Sequence, residues 1–212
     1  MNFNQKLKFR KGFWRLPLSL AALIALPFAV YLYIKSIAPQ PRLSGIDITG
    51  RKNFGSSFVL LDYQDKPRTL LSYKGKVVIL FFGYTNCPDI CGSTLLELKE
   101  LIGQLGVLSK DVQVIFVTVD PQRDTPDALR KYLSSFGAGF IGLRPANLEA
   151  LERITKEFGI YYKHRPITTG GGYSVDHSTK GFAFDGKGEI RLYIKYDKNK
   201  ESLINALREL LQ

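Results

Sequence analysis

The stretch KVVILFFGYTNCPDICGSTLLELKELIGQL, residues 76–105, joins a continuous apolar run to two cysteines and then to a periodic apolar pattern. The apolar run, residues 76–84, is rich in β-branched and aromatic side chains, which is typical of a strand buried on both faces. After the cysteines, apolar residues recur at helical spacing, at Leu95, Leu98, Leu101, Ile102 and Leu105. The stretch therefore predicts a buried strand, a short loop that carries the cysteines, and an amphipathic helix over about residues 89–105.

The chain on either side of this stretch also alternates apolar runs with helical patterns. After it, the patterns predict strands over residues 112–120, 140–145, 173–178, 181–185 and 189–194, and helices over 125–137, 147–159 and 200–211. For the helix over 125–137, Thr125 is the predicted N-cap and Pro126 the predicted first helical residue. Before it, they predict two shorter strands over residues 57–62 and 68–73. This alternation indicates an α/β fold with a mostly parallel central sheet, flanking helices and a late β-hairpin at one side.

An uncharged apolar run, LPLSLAALIALPFAVYLYI, occupies residues 16–34. A membrane-spanning helix needs about 20 predominantly apolar residues, so this run is long enough to cross a bilayer. The alternatives are a buried core helix and a cleaved signal peptide, for which SIA at residues 36–38 offers small residues before a cut. The apolar region of a signal peptide usually has about 7–15 residues, which is shorter. We therefore predict one transmembrane helix, a retained anchor over residues 16–37.

The net charge of +11 is concentrated at the start of the chain. Lys6, Lys8, Arg10, Lys11, Arg15 and Lys35 all precede the first acidic residue, Asp47. No basic stripe or nucleic-acid motif follows, so the charge does not indicate a nucleic-acid partner. The positive-inside rule places the amino-terminal arm in the cytoplasm and the rest beyond the anchor on the outer side. That side is the periplasm for a bacterial inner membrane, or the intermembrane space for a mitochondrial inner membrane.

These observations divide the chain into four predicted regions. A cytoplasmic basic arm occupies residues 1–15, the transmembrane anchor 16–37, a linker rich in proline and glycine 38–54, and a globular domain 55–212.

The chain has two cysteines, Cys87 and Cys91, which three residues separate. In an oxidising compartment, such a pair forms a redox-active disulfide, a structural disulfide or part of a metal site. A structural disulfide is disfavoured, because closing so short a loop gains little chain entropy. Both sulfurs lie next to a predicted helix start, where unpaired N–H groups and the helix dipole favour thiolate. We therefore expect both cysteines to ionise more readily than a free cysteine.

Three short motifs occur in a consistent order: TNCPDICGSTLLEL (85–98), TVDPQRDTP (118–126) and VDHS (175–178). Together they resemble the SCO/SenC family of membrane-anchored, thioredoxin-fold copper-binding proteins, which help to assemble the copper A centre of cytochrome c oxidase. The resemblance extends from about residue 55 to the end of the chain. It implies a thioredoxin-like fold for this domain.

The resemblance also implies a metal site whose copper ligands are Cys87, Cys91 and His177. Thiolates select Cu(I), and two thiolates with one imidazole also accept Cu(II). Gly92 departs from the family pattern, since members usually have proline after the second cysteine. This change is expected to loosen the first helical turn without touching a ligand.

Other polar residues near these motifs have ordinary structural interpretations. His164 has no motif around it. Asp120 and Asp124 either orient the site or a partner, or serve only as a turn residue and a helix cap. Asp176 is either a neighbour of the metal site or a polar strand residue. The glycine cluster TTGGG, residues 168–172, predicts a mobile loop that brings His177 toward the cysteines.

The resemblance thus implies a single-pass membrane copper carrier, a metallochaperone more than an enzyme, that delivers one copper ion to the copper A-bearing subunit of cytochrome c oxidase. Its further partners would be a thiol reductant and an upstream copper donor. The main competing function is that of a thiol–disulfide oxidoreductase that reduces the oxidase cysteines with Cys87 and Cys91. Two more candidates are a peroxide-handling or redox-signalling enzyme and a membrane-tethered interaction module. His177 distinguishes the copper carrier from a dithiol reductase, because the reductase does not need it.

Overall fold

The computed structural model describes residues 26–28, 30, 46–51, 53–88, 90–167, 171–195 and 200–212. The chain divides into two compact units, Met1–Arg42 and Leu43–Gln212. Most of the predicted anchor lies outside the described residues, and residues 26–28 and 30 are helical. Among the described residues, no helix combines the length and apolar character needed to cross a membrane. The anchor therefore stays a prediction from the sequence.

The described residues form ten strands. They are β1 (Ile46–Asp47), β2 (Leu60–Leu61), β3 (Pro67–Arg68), β4 (Val77–Gly83), β5 (Val112–Thr118), β6 (Phe140–Leu143), β7 (Tyr162–Pro166), β8 (Tyr173–His177), β9 (Lys180–Phe184) and β10 (Ile190–Lys195).

Four α-helices of the second unit alternate with these strands. They are α1 (Ile90–Gly103), α2 (Pro126–Ser134), α3 (Leu148–Glu157) and α4 (Lys200–Leu210). All four lie within the ranges that the sequence predicted. The predicted cap of α2 is confirmed, because the Thr125 side chain accepts a hydrogen bond from the Ala128 N–H, and Pro126 is the first helical residue. Such a cap satisfies a backbone donor that has no partner within the helix.

The main sheet is mixed, with the strand order β1-β10-β9-β4-β5-β6. The pairs β4–β5 and β5–β6 are parallel, whereas β4–β9, β9–β10 and β10–β1 are antiparallel. The prediction of a mostly parallel sheet is therefore wrong. The late hairpin β9–β10 pairs directly with the central strand β4 and is itself extended by β1, so antiparallel pairs predominate in the described sheet.

Both faces of β4 are buried, as its continuous apolar sequence predicted. Side chains at alternate positions enter different core clusters, because successive residues of a strand point to opposite faces. Phe81 packs in the cluster that includes α1, α2 and α4, while Phe82 packs in the cluster that includes α3. Complete burial of such a side chain contributes about 1.5–3 kcal/mol to folding. These two clusters make the carboxyl end of β4 a rigid base for the loop that follows.

The segment before β4 departs from the predictions. The strand predicted over 57–62 is reduced to β2, and the one predicted over 68–73 is replaced by β3 and a 3₁₀ helix, Leu70–Tyr73. The Asp62 carboxylate explains part of this difference, because it accepts the backbone N–H groups of Gln64 and Lys66 and thereby closes a tight turn between β2 and β3. Such carboxylate turns compete with extended structure.

Strand β7 was not predicted, and it pairs with β8 in a two-stranded antiparallel sheet of its own. Strand β8 lies within the strand predicted over residues 173–178, whereas β7, with the sequence YKHRP, carries mostly exposed polar residues. Residues 168–170 of the predicted mobile loop lie outside the described residues. The hairpin β7–β8 is the element that carries His177.

Candidate metal centre

Cys87, Cys91 and His177 come together beyond the carboxyl end of β4. Cys87 lies in the loop after this strand, Cys91 lies in the first turn of α1, and His177 is the last residue of β8. The two sulfur atoms and one imidazole nitrogen all lie within 4.8 Å of one another. Cys91 Sγ is 3.4 Å from His177 Nε2. In the part of the chain that the structure describes, this is the one group of three or more histidine, cysteine or acidic side chains arranged in this way.

Gly83 makes room for Cys91 at the end of β4. A methyl group built on Gly83 would lie 2.8 Å from Cys91 Sγ and 2.7 Å from the Phe116 ring. Cβ atoms essentially never approach other heavy atoms so closely. A glycine at this position therefore allows the sulfur of Cys91 to pack directly over the strand backbone.

Burial determines the protonation of Cys91. Its side chain is fully buried, and this burial raises the pKa of the Cys91 thiol far above its ordinary value, with a further increase from the neighbouring Cys87. Desolvation disfavours the thiolate more than the backbone hydrogen bond of Tyr84 stabilises it. The prediction that this cysteine ionises readily is therefore wrong for the metal-free protein. Cys87 is half-buried and more accessible than Cys91.

The hydrogen bond to Ser178 orients the His177 ring. His177 Nδ1 is 3.0 Å from the Ser178 carbonyl oxygen. A carbonyl oxygen only accepts, so Nδ1 carries the proton of this bond, and the neutral ring then has its lone pair on Nε2, which faces Cys91. Burial lowers the pKa of His177, which favours this neutral form. The ring is thus prepared to act as a ligand through Nε2.

The donor set suits a single soft metal ion. Cysteine sulfur binds metals such as zinc at about 2.3 Å, so one ion can bridge sulfur atoms up to about 4.6 Å apart. All three ligand atoms lie within 4.8 Å of one another, slightly above this limit. Two thiolates and one imidazole select soft or borderline ions, because hard cations prefer oxygen ligands. With three ligands, the group also leaves a coordination position for a fourth donor.

The loop between β5 and α2 contributes two buried carboxylates beside this site. Asp124 accepts hydrogen bonds from the Thr85 N–H and hydroxyl, and Asp120 accepts one from the Tyr173 hydroxyl. The interpretation of Asp124 as the helix cap is wrong, since Thr125 provides the cap. The sequence left open whether these two aspartates orient the site or have only local roles, because their partners lie about 40 to 50 positions away.

Two other polar residues lie apart from the donor group. Asp176 forms an exposed ion pair with Arg165, with 2.7 Å between Nε and Oδ2, which agrees with a polar strand residue. His164 Nε2 is 4.0 Å from Asp120 Oδ1, and the side chain is about half exposed. Neither residue belongs to the group that Cys87, Cys91 and His177 form.

The fold and the site define a thioredoxin-like α/β domain that carries a cysteine–cysteine–histidine group where a central strand meets a helix. The SCO1/SenC family model matches residues 46–212, and the chain belongs to this family.

Individual relatives agree with this assignment. A candidate copper-binding protein of Stutzerimonas stutzeri is 41% identical over 154 residues, which cover 72% of this chain and 74% of the relative. An SCO2-like protein of Rickettsia conorii is 30% identical over 183 residues, covering 85% of this chain and 89% of the relative. The structure is similar to that of Bradyrhizobium japonicum ScoI with copper bound, with a TM-score of 0.63 and 33% identity, covering 72% of this chain and 96% of ScoI.

Proposed function

We propose that this protein is a copper chaperone that binds one copper ion through Cys87, Cys91 and His177. It delivers this ion to the copper A site of cytochrome c oxidase during assembly of the oxidase. The observation that carries the proposal is the convergence of two sulfur atoms and one imidazole nitrogen within 4.8 Å. The copper in the similar ScoI structure supports copper as the ion that this group binds.

The donor set is compatible with both oxidation states of copper. The two thiolates favour Cu(I), and the added imidazole provides the borderline nitrogen ligand that suits Cu(II). Binding requires the buried Cys91 to lose its proton, so loading of the metal releases protons. The ion is cargo in this function, and the three side chains hold it until a recipient takes it.

Release of the ion would occur by ligand exchange that begins at Cys87. This cysteine is half-buried, whereas Cys91 is fully buried, so Cys87 is the ligand that an incoming thiolate reaches more easily. Each incoming thiolate would form a bond to copper as one of the chain's own ligands leaves. The open coordination position allows the first incoming ligand to bind before any ligand has left.

The setting of this function follows from the sequence. We infer that residues 16–37 anchor the protein in a bacterial inner membrane, or in a mitochondrial one if the source is eukaryotic. The copper-binding domain would face the periplasm or the intermembrane space, where the copper A-bearing subunit of the oxidase receives the ion. Both cysteines must be reduced before loading, so a thiol reductant and an upstream copper donor are the other expected partners.

Titration of copper into the reduced protein tests the proposal. We expect one equivalent of copper to bind. Absorption spectroscopy measures the binding of Cu(I) and of Cu(II), and electron paramagnetic resonance measures that of Cu(II). His177→Ala should weaken Cu(II) binding and leave the disulfide able to form, whereas His164→Ala provides a control that removes a histidine outside the donor group. Equal Cu(II) binding by wild type and His177→Ala would exclude His177 from the site.

The difference in burial between the cysteines also favours a second candidate function, a thiol–disulfide oxidoreductase acting on the oxidase cysteines. The accessible Cys87 would attack the target disulfide as thiolate and form a mixed disulfide, which releases one target thiol. Cys91 would then lose its proton and attack Cys87, which closes the disulfide of the chain and releases the second target thiol. His177→Ala separates the two functions, because a dithiol reductase keeps its activity in this variant and a copper chaperone loses Cu(II) binding.

A further inference from the structure

The three proposed ligands lie on two separate elements. Cys87 and Cys91 belong to the connection between β4 and α1, whereas His177 ends β8, which pairs with β7 in a sheet separate from the main one. The direct polar contacts between these two elements include a 3.3 Å hydrogen bond from the Val175 N–H to the Tyr84 hydroxyl and the 3.4 Å approach of Cys91 Sγ to His177 Nε2. A third element contacts both of them, namely the loop between β5 and α2, residues 119–125.

We propose that this β5–α2 loop positions His177 relative to the cysteine pair, with Arg123 and Tyr173 as the positioning residues on the histidine side. The inference deepens the proposed copper function and rests on it for the copper measurements. The inference also predicts how far β8 lies from the β4–α1 connection in the metal-free protein, and this distance is tested without copper.

On the cysteine side, the loop is attached through Asp124. Its buried carboxylate accepts the Thr85 N–H at 3.0 Å and the Thr85 hydroxyl at 2.6 Å. Thr85 lies two positions before Cys87, so these bonds hold the start of the cysteine loop. Hydrogen bonds to an ionised carboxylate are roughly twice as strong as those between neutral groups.

On the histidine side, the loop is attached through Asp120 and Arg123. Asp120 is fully buried and accepts the Tyr173 hydroxyl at 2.8 Å, and it also pairs with the Arg123 Nε at 2.5 Å. Arg123 donates from Nη1 to the Tyr173 carbonyl oxygen at 2.7 Å, and its guanidinium carbon lies 3.8 Å from the centre of the Tyr173 ring. The first residue of β8 is therefore held through its backbone, its ring and its hydroxyl.

The Thr118 hydroxyl connects the side chain of Asp124 with the backbone of Asp120. Thr118 donates a 2.5 Å hydrogen bond to Asp124 and accepts a 2.9 Å hydrogen bond from the Asp120 N–H. An unbroken chain of hydrogen bonds therefore runs from Thr85 through Asp124, Thr118 and Asp120 to Tyr173. Buried carboxylates hold it in place, because a displaced partner would leave a buried charge incompletely paired.

This arrangement predicts an asymmetry between the oxidation states of copper. If the contacts of Asp120 and Arg123 with Tyr173 are lost, β8 moves relative to the cysteines. Cys87 and Cys91 stay together, because both belong to one short connection. The pair of thiolates that Cu(I) prefers is then preserved, and the imidazole that Cu(II) needs is lost. Variants of Arg123 or Tyr173 should therefore resemble a partial His177→Ala.

The first experiment measures the metal-free, reduced protein by nuclear magnetic resonance. In wild type, nuclear Overhauser contacts should join the His177 ring to the Cys91 side chain and to the Tyr84 ring, whose centre lies 5.7 Å from that of His177. These contacts should weaken in Arg123→Gln and in the milder Tyr173→Phe, which removes one hydroxyl and keeps the ring. Arg130→Gln is the matched control, since Arg130 forms an exposed ion pair on α2. Unchanged contacts in folded Tyr173→Phe and Arg123→Gln would overturn the inference.

The second experiment measures copper binding by the same variants in a double-mutant cycle. We expect Arg123→Gln to weaken Cu(II) binding about tenfold, as is typical when a group that orients a metal ligand is lost. It should also reduce the nitrogen coupling in the paramagnetic resonance spectrum and leave Cu(I) affinity nearly unchanged. In a His177→Ala background, Arg123→Gln should have no further effect on Cu(II), because it acts through a ligand that is already gone. An equal tenfold loss in both backgrounds would show that Arg123 does not act through His177. Absence of copper binding in wild type would instead contradict the proposed function, and the resonance contacts would still decide the positioning role.

Discussion

Cys91 Sγ lies 3.4 Å from His177 Nε2, although the two residues are 86 positions apart in the sequence. One is buried in the first turn of α1, and the other ends a strand outside the main sheet. The contact therefore joins two elements that share no backbone pairing in the described structure. Where a thiol and an imidazole meet in this way, a second thiol at Cys87 completes a chelating group.

Replacing either cysteine should abolish stable copper binding. A serine hydroxyl is a poor ligand for a soft ion, so Cys87→Ser and Cys91→Ser each leave one thiolate and one imidazole. We expect loss of the one-equivalent end point in a copper titration of the reduced protein. Ser93→Ala is a suitable control, because this exposed side chain bonds only to the Ile90 carbonyl among its described partners. Full affinity in either cysteine variant would overturn the three-ligand arrangement.

Gly83→Ala should disturb the site without changing a ligand. The new methyl group would meet both Cys91 Sγ and the Phe116 ring at less than 3.0 Å, so at least one of them must shift. Overpacking of this kind typically costs 1–3 kcal/mol, about the loss in unfolding free energy that we expect by chemical denaturation. Copper affinity should fall as well.

The matched control for Gly83→Ala is Gly103→Ala at the end of α1. A methyl group there meets no other group within 4 Å. This variant should keep wild-type stability or exceed it, since alanine favours helix over glycine. If both alanine variants behaved alike, close packing of Cys91 against Gly83 would not be the cause.

Gly92→Ala should stabilise the first turn of α1 and leave copper binding unchanged. A methyl group on Gly92 meets only the Tyr132 hydroxyl at 3.7 Å, which is an ordinary contact. Alanine is about 0.8–1.0 kcal/mol more favourable than glycine inside a helix, so a gain of up to about 1 kcal/mol in unfolding free energy is expected. A lowered copper affinity in this variant would indicate that site rigidity, and not ligand identity alone, determines binding.

Asp62→Asn should destabilise the protein at neutral pH by about 1–3 kcal/mol, because a buried ionised acceptor is lost. Burial tends to raise the pKa of Asp62, but bonds from Gln64, Lys66 and Arg68 outweigh it, so the pKa is lowered in the folded state. The carboxylate therefore stabilises the fold above its unfolded pKa, and this contribution is lost as the pH falls through the lower folded value.

The measurement for Asp62 is a series of denaturant unfolding curves from pH 7 down to pH 2. The difference between wild type and Asp62→Asn should be largest at neutral pH and should shrink below the ordinary carboxyl value of 3.8. Asp127→Asn is the control, since its side chain is 90% exposed and pairs only with the exposed Arg130 among its described partners. A difference that stays constant with pH would rule out the carboxylate charge as its origin.

Local patterns in the sequence were sufficient for the elements that carry the cysteines. The continuous apolar run predicted β4, the leucine spacing predicted α1, and Thr125 with Pro126 predicted the start of α2. These signals are local, because burial on both faces, helical periodicity and capping each require particular residue types within a short segment. His177 was connected to the cysteines only through the resemblance of VDHS to a family motif.

Tertiary structure alone decided the pairing of β9 with β4, the separate hairpin β7–β8 and the environment of the sulfurs. Helix position by itself predicted a readily ionised Cys91, yet packing against Gly83 and the core makes its thiol hard to ionise. Desolvation of the Cys91 thiolate depends on groups that are distant in the sequence, so a short motif cannot predict it. The sequence by itself therefore determined which side chains are available for metal chemistry. Long-range packing decided how closely they approach and which protons they hold.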